Sequence, residues 1–325
     1  MAGIVLPPRS FSRNVAALVP PRHRIALTAI VKDEADALLE WVAYHRLIGV
    51  EHFYLYDNGS RDGTAALLAR LQAAGVATAI DWPSPRAGVL MSFPETLDYL
   101  AGIDDARAVD WRAETGVGPQ LTAYNDALAR FGAGTEWMLF IDADEFLALK
   151  EDASLQGFLD RFADPAVGAV ALNWRYFGSG GQLEPDGRLV IERFTRCAPP
   201  GFGGHHHVKT LARTAALRRM LIHGAVLGAG YGYVDDLGRP LVLRDHAFSP
   251  GISHARAQLN HYSVKSLAEF RRKVARGLAP YADDHPNKWQ GLDDAYFRRQ
   301  DLNDDGDESL LPLAAAVRAE MARLA

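Results

Sequence analysis

Glu136-Trp-Met-Leu-Phe-Ile141 followed by Asp142-Ala-Asp144-Glu145 is the stretch whose reading decides the fold. Five of its first six residues are apolar and do not alternate with polar ones, the mark of a strand buried on both faces inside an α/β sheet. The run then ends on three acids within four positions. Carboxylates at the carboxyl end of a buried strand face the ligand crevice of an open α/β sheet. Like charges this close repel, so the cluster is costly unless paired with cations or bound to a metal. Capping of a following helix is the ordinary role of a bare Asp-x-Asp; its place at the end of this strand argues for the metal instead.

Working outward, the amino-terminal side alternates strand and helix. Residues 24–31 form a short β-rich apolar run, and residues 33–47 repeat apolar positions at helical spacing. Residues 50–56 give an aromatic-rich second strand that ends at Asp57-Asn58-Gly59-Ser60, 65–74 a helix, and 76–81 a third strand. This order predicts a mainly parallel sheet covered on both faces. Residues 83–118 read as an irregular loop with short helices, and residues 119–130 as a helix.

On the carboxyl side a helix is expected near 155–162, a strand near 167–174, a Gly-rich turn at 178–181 and a strand at 188–194. Past residue 200 the pattern loosens, with helices expected at 266–276 and 310–324. The latter carries one apolar stripe at positions 310, 313, 314, 317, 321 and 324.

Of the 325 residues, 48% are hydrophobic and 23% charged, the composition of a globular chain. A net charge of −5 and a pI near 6.1 give no overall field for gathering nucleic acid or an anionic membrane. Cys197 is the only cysteine, which excludes an intramolecular disulfide and a thiolate zinc cluster and fits a reducing cytoplasm. No apolar run reaches the ~18 to 20 residues of a spanning helix. Residues 1–23 read as a flexible basic arm: Arg9, Arg13 and Arg22 have no acid before Asp33, and prolines at 7, 8, 20 and 21 break each apolar block. A peripheral contact of this arm with the inner face of a membrane is a further expectation.

The acid cluster offers hard oxygen ligands, which suit Mg²⁺ or Mn²⁺. Such an ion would bridge the phosphates of a nucleotide diphosphate and stabilise the charge that develops as a sugar departs. Asp57 with its following Asn-Gly-Ser also fits plain turn chemistry. Lys209, Lys265 and Lys273 place positive charge where phosphate or an anionic acceptor would meet it, whereas Arg271 reads as part of a solvated helix face. Asp301-Leu-Asn303-Asp-Asp305-Gly306 begins like a calcium loop, but Pro312 stands where a bidentate Glu is required, so an EF-hand is rejected.

Ile30-Val-Lys-Asp-Glu34, Tyr56-Asp-Asn-Gly-Ser-Arg-Asp-Gly-Thr64 and Phe140-Ile-Asp-Ala-Asp-Glu145 resemble the successive signatures of family 2 glycosyltransferases, in the branch related to family 92. Trp174-Arg-Tyr-Phe-Gly-Ser-Gly-Gly181, Val208-Lys-Thr210, Ile222-His-Gly224 and Asn260-His-Tyr-Ser-Val-Lys-Ser266 resemble that branch's later motifs. The resemblance covers about residues 24–276. It implies a GT-A fold, a Rossmann-like, mostly parallel sheet flanked by helices. The expected division is a catalytic domain over 24–265, with the nucleotide-sugar half to about 150 and the acceptor half after it, and a C-terminal helical extension over 266–325.

The implied activity is metal-dependent, inverting transfer of a hexose from a UDP or GDP sugar to a glycan or glycolipid hydroxyl, such as a bacterial surface polysaccharide. By the same resemblance Lys32, Glu34, Asp57, Asn58 and Asp142 belong to the nucleotide-sugar site. Asp142, Asp144 and His261 belong to the metal (Mn²⁺ or Mg²⁺), and Trp174, His223 and Lys265 to the acceptor side. Asn303, Asp307 and Ser309 are expected to help close the site, and His205, His206 and His207 to form a loop near the acceptor.

Inversion requires a base to take the acceptor proton. Asp235 and Asp236 are the first candidates, with Glu184, Asp186 and Asp245 as alternatives. A nicotinamide-dependent oxidoreductase is discarded, because Lys-Asp-Glu-Ala-Asp rather than a Gly-rich phosphate turn follows the first strand. A metal-dependent nucleotidyltransferase or phosphohydrolase would want the same acids. A nucleotide-sugar-binding protein without catalysis would have no need of three repelling carboxylates.

Overall fold

The computed structural model of the chain describes residues 22–84, 91, 93–114, 116–277 and 293–325. Residues 1–21 of the expected basic arm, and residues 85–90 of the expected long loop, lie outside the described residues.

The first half alternates as expected: β1 (His23–Val31), α1 (Leu38–Leu47), β2 (His52–Asp57), α2 (Thr64–Ala73), β3 (Ala77–Asp81), α3 (Phe93–Ala101) and α4 (Pro119–Phe131). β4 (Thr135–Phe140), β5 (Glu145–Leu149), α5 (Leu155–Asp160) and β6 (Val167–Tyr176) follow. Then come α6 (Val190–Arg193), β7 (Arg196–Cys197), β8 (Val208–Arg213), β9 (Leu217–Met220), β10 (Ala225–Leu227), β11 (Gly232–Val234), β12 (Pro240–Leu241) and β13 (Ala257–His261). α7 (Leu267–Arg276), α8 (Asp294–Gln300), β14 (Asp305–Gly306) and α9 (Ala314–Leu324) complete the chain.

The main sheet runs in the order β12-β11-β6-β8-β4-β1-β2-β3, with β13 and β5 attached at the carboxyl end of β6. β4, β1, β2 and β3 are mutually parallel, while β8 lies antiparallel between β4 and β6. β4 and β6 therefore point the same way, and their carboxyl ends reach the same edge. The expected α/β class with a flanked sheet is observed.

β1 shows how both faces are covered. Ile25, Leu27, Ala29 and Val31 belong to one core together with residues of α1, α2, α5 and α9, whereas Ala26 and Ile30 belong to a second core that includes α4. Side chains that alternate across a strand and are apolar at both parities can only be satisfied by helices on both sides.

β5 and α6 differ from the sequence reading. β5 was not expected: Phe146-Leu-Ala-Leu149 is too short for periodicity to distinguish from a helix segment. It pairs with β13 on one side only, and α1 covers its other edge. Trp41 Nε1 donates to the Glu145 carbonyl at 2.7 Å, Tyr44 OH to the Leu147 carbonyl at 2.7 Å, and Leu147 N to His45 Nε2 at 3.3 Å. A strand edge with unpaired backbone groups is thereby satisfied by one face of a helix.

The strand expected at 188–194 is instead the short helix α6. Its first amide groups are held by a buried carboxylate 150 residues away: Val190 N and Ile191 N donate to Glu40 Oε2 and Oε1 at 2.7 and 3.1 Å. That tertiary cap overrides the β-branched character of the segment. Farther along, α9 lies on α1, with its stripe residues Val317 and Leu324 buried and Glu320 Oε1 2.7 Å from Arg46 Nε.

Candidate functional site

The acids sit on the turn that connects β4 to β5. Asp142 N donates to Glu145 Oε2 at 2.9 Å, and Glu145 N donates back to the Asp142 carbonyl at 3.1 Å, so the turn is closed by its own third acid. Register then decides what faces it. β13 runs antiparallel to β5 with His261 opposite Glu145, and Tyr262 N donates to the Asp144 carbonyl at 2.9 Å. His261 Nε2 thereby lies 3.7 Å from Asp144 Oδ1.

Each carboxylate has a distinct partner. Asp142 Oδ2 accepts from Lys209 Nζ at 2.9 Å, and Oδ1 from Gln120 Nε2 and Tyr124 OH at 2.7 and 3.2 Å. Asp144 Oδ2 accepts from Lys273 Nζ at 2.6 Å. Glu145 is wholly buried, and its Oε1 has no partner. Burial pushes the Glu145 carboxyl well above the usual carboxylate range, with Asp142 and Asp144 adding to the push and Lys209 opposing it.

For Asp144 burial works in the same upward direction, yet the ammonium of Lys273 brings the carboxyl far below its ordinary value. His261 adds to that effect when its ring is protonated. Its own burial lowers the imidazole to about 4, so it stands neutral beside Asp144 at neutral pH. Its Nδ1 is buried and unpartnered. Lys209 is fully buried as well, and despite desolvation Asp142 and Glu145 hold its ammonium charged.

A cavity of about 250 Å³ opens on this turn. Asp142, Asp144 and His261 line it together with Lys32, Glu34, Asn58, Trp174 and His223, so the structure gathers eight of the expected site residues at one place. The Trp174 and His261 rings lie 4.3 Å apart, with His223 5.2 Å from Trp174. His223 Nδ1 lies 3.2 Å from the Val208 carbonyl, which makes Nδ1 the protonated nitrogen and leaves the lone pair on Nε2. Burial and the nearby Lys209 ammonium keep this imidazole neutral.

A second cavity of about 480 Å³ adjoins the first and is lined by Lys265 among others. Asp57 lines neither; its Oδ1 accepts from Ser60 N at 2.9 Å and shapes the turn after β2. Asn58, in contrast, is buried, donating to the Trp82 carbonyl at 2.9 Å and accepting from Ser84 Oγ at 3.0 Å.

Asp235 and Asp236 are not brought to either cavity. Asp235 accepts from Leu237 N and Arg239 N in its own turn and pairs with Arg239, and Asp236 Oδ2 accepts from Arg256 N and Ala257 N. Asp235 thus serves its own turn, and Asp236 the backbone at the start of β13. Glu184, Asp186 and Asp245 line neither cavity either.

The three adjacent histidines are held by local contacts: Tyr176 N donates to His205 Nε2, His206 Nδ1 bonds the Ser249 carbonyl, and His207 stacks on Trp174 at 4.8 Å. Asn303 accepts from Gly180 N, and Asp307 pairs with Lys150, so this segment braces the turn at 178–181 without lining either cavity. Gln120, Tyr124 and Arg276 escaped the sequence reading. For Arg276 a signal exists, since it follows Lys273 by three residues on an otherwise amphipathic helix; the α4 pair carries none.

Residues 27–187 match the family model of glycosyltransferase family 92. Over these residues the chain is similar to glycosyltransferase family 92. Curated relatives of the same family include a protein of Oryza sativa subsp. japonica, 25% identical over 82% of this chain and 37% of its own length. Another from Ricinus communis is 24% identical over 82% of this chain and 40% of its own. The chain thus spans about two fifths of the length of these family 92 relatives.

Among solved structures, S. aureus TarS residues 1–349 aligns over 93% of this chain and 80% of its own at 12% identity, with a TM-score of 0.37. Glucosyl-3-phosphoglycerate synthase from Mycobacterium tuberculosis, in complex with Mn²⁺, UDP and glucosyl-3-phosphoglycerate, aligns over 47% and 44% at 17% identity, with a TM-score of 0.27. Among the described residues no helix is long and apolar enough to cross a membrane.

Proposed function

We propose that this chain is the catalytic GT-A domain of a glycosyltransferase that moves a sugar from a nucleotide diphosphate sugar to a hydroxyl of a glycan or glycolipid. The observation that carries the reading is the meeting of Asp144 and His261, 117 positions apart in sequence, beside Asp142 in a cavity of about 250 Å³ at the carboxyl ends of β1, β4 and β6.

The donor set suits a divalent cation of the Mg²⁺ or Mn²⁺ kind. Asp144 Oδ1 and His261 Nε2, 3.7 Å apart, would hold it from two sides. Among the described residues no cluster of three side-chain donors completes a shell. The remaining positions would be left to water and substrate oxygens, the ordinary way a hard cation is shared with a phosphate ligand. Bound there, the ion would neutralise charge developing on the departing diphosphate. Asp142, held by Lys209, Gln120 and Tyr124, would meet the ribose or a metal-bound water.

Inverting transfer needs a proton acceptor on the side of the incoming hydroxyl. His223 supports that role: it lines the cavity, is neutral, and presents its lone pair at Nε2. Trp174 beside it offers an apolar face against which a sugar ring can lie.

Calorimetric titration with UDP and GDP, with and without Mn²⁺, tests the reading on the intact chain and on Asp144→Ala. Binding that requires the metal and is lost in Asp144→Ala supports it. Absence of binding to either nucleotide sinks it, and release of free phosphate or pyrophosphate from a nucleotide would turn the reading to a phosphohydrolase or nucleotidyltransferase.

A further inference from the structure

The two cavities share Glu34, Asp144, Lys273 and Arg276, and these four residues are two ion pairs. Lys273 Nζ lies 2.6 Å from Asp144 Oδ2, and the Arg276 guanidinium pairs with Glu34. Both cations come from the last turn of α7, three residues apart and so on one face of the helix. Their other hydrogen bonds go to backbone carbonyls, Lys273 to Ser263 at 3.0 Å and Arg276 to Lys32 and Asp33 at 2.7 and 3.0 Å.

The helix itself is well anchored. Ser266 and Glu269 cap it reciprocally, and Arg193 holds Glu269 through two bonds of 3.1 and 2.5 Å. The wall between the cavities is therefore built from charges that neutralise one another, carried on a fixed support.

Size and charge both bear on what that wall does. Ligand cavities for molecules of drug size or larger span roughly 300 to 1,000 Å³. The 250 Å³ cavity at Asp142 falls short of that range for a nucleotide diphosphate sugar, whereas the adjoining 480 Å³ would accommodate the remainder once the wall opens. A diphosphate also brings the negative charge that can replace a carboxylate opposite an ammonium or a guanidinium.

We propose that Lys273 and Arg276 exchange partners when substrate binds. Without ligand they occupy Asp144 and Glu34 and close the wall. With a nucleotide diphosphate and a divalent cation present they pass to the diphosphate, the two cavities join, and Asp144 is left to the cation. The inference rests on the glycosyltransferase reading above and deepens it. It has one sharp consequence: Lys273 and a divalent cation compete for Asp144 when no nucleotide is present, and a bound diphosphate relieves the competition.

The test is Mn²⁺ binding, followed by electron paramagnetic resonance, to the full chain and to Lys273→Met, each alone and with UDP or GDP. Without nucleotide, Lys273→Met is expected to bind Mn²⁺ at least about tenfold more tightly than the parent, because the ion no longer displaces the half-buried Lys273 ammonium from Asp144. Nucleotide should tighten Mn²⁺ binding by a larger factor in the parent than in the variant. Equal or weaker Mn²⁺ binding by Lys273→Met in the absence of nucleotide overturns the proposal.

Should Lys273→Met fail to fold, Lys273→Gln keeps a donor toward Asp144 without the charge. The thermal shift on adding Mn²⁺ must then be larger for that variant than for the parent, and an equal shift overturns the exchange. If neither UDP nor GDP binds the parent with Mn²⁺, the glycosyltransferase reading falls; tighter Mn²⁺ binding by the variant alone would still support competition at Asp144.

Discussion

Lys209 Nζ, wholly buried on β8, donates to Asp142 Oδ2 at 2.9 Å and so places a fixed positive charge behind the acids of the β4–β5 turn. The antiparallel insertion of β8 between β4 and β6 is what brings it there. Replacing it by Met leaves Asp142, Asp144 and Glu145 facing one another with Lys273 as their nearest ammonium. A loss of about 3 kcal/mol in unfolding free energy is expected, the lower end for a broken buried pair because the Asp142 side chain is 34% exposed. Urea denaturation of Lys209→Met checks it; a change below about 0.5 kcal/mol, the scale of an ordinary surface substitution, would show the pair to be dispensable.

His223→Gln separates proton transfer from binding. Gln keeps a hydrogen-bonding side chain but cannot take a proton, so kcat is expected to fall by roughly 100-fold or more with the donor KM little changed. Steady-state kinetics with the donor sugar identified by screening gives both constants. A fall confined to KM would make His223 a binding residue only.

Glu40 is expected to matter for stability without touching the cavity. It is buried on α1 and caps α6, and burial raises its carboxyl above the ordinary range while the two backbone amide groups pull it down. Glu40→Ala strands two amide donors away from water, at about 1 to 3 kcal/mol for each buried group left unpaired. Glu40→Gln, which keeps one acceptor oxygen, should cost less. Chemical denaturation of both variants in parallel orders the two effects.

Acid should destabilise the fold through His45. Its Nδ1 bonds the Trp41 carbonyl at 2.8 Å and its Nε2 accepts from Leu147 N, so both nitrogens are committed to the neutral ring. Burial lowers its pKa from 6.5 to about 3. The unfolded chain therefore binds this proton first, and the stability held by the neutral ring is present above pH 6.5 and lost progressively as pH falls toward about 3. Each unit of that window is worth about 1.4 kcal/mol for one fully titrating group. Unfolding free energy measured down this range should fall less steeply in His45→Gln than in the parent; identical slopes would remove His45 from the acid response.

The local sequence determined those elements whose signal is local. Apolar residues at both parities in β1 and β4 demand helices on both faces, and the capping pair Ser266 and Glu269 starts α7 wherever the rest of the chain lies. The position of Asp142 and Asp144 at a strand end followed from the same run. β5 and α6 were decided by distant partners: α1 satisfies one edge of β5, and Glu40 caps α6, so neither carries its own signal. The composition of the site is likewise tertiary. His261 reaches Asp144 because β13 pairs with β5 in one register, and a slip of one residue would turn its ring to the other face. Lys209, Lys273 and Gln120 meet the acids through three different elements, whereas Asp235 is drawn into its own turn and Asp236 into the backbone at the start of β13. Charge partners are chosen by distances of a few ångström in space, and the sequence fixes only separations along the chain.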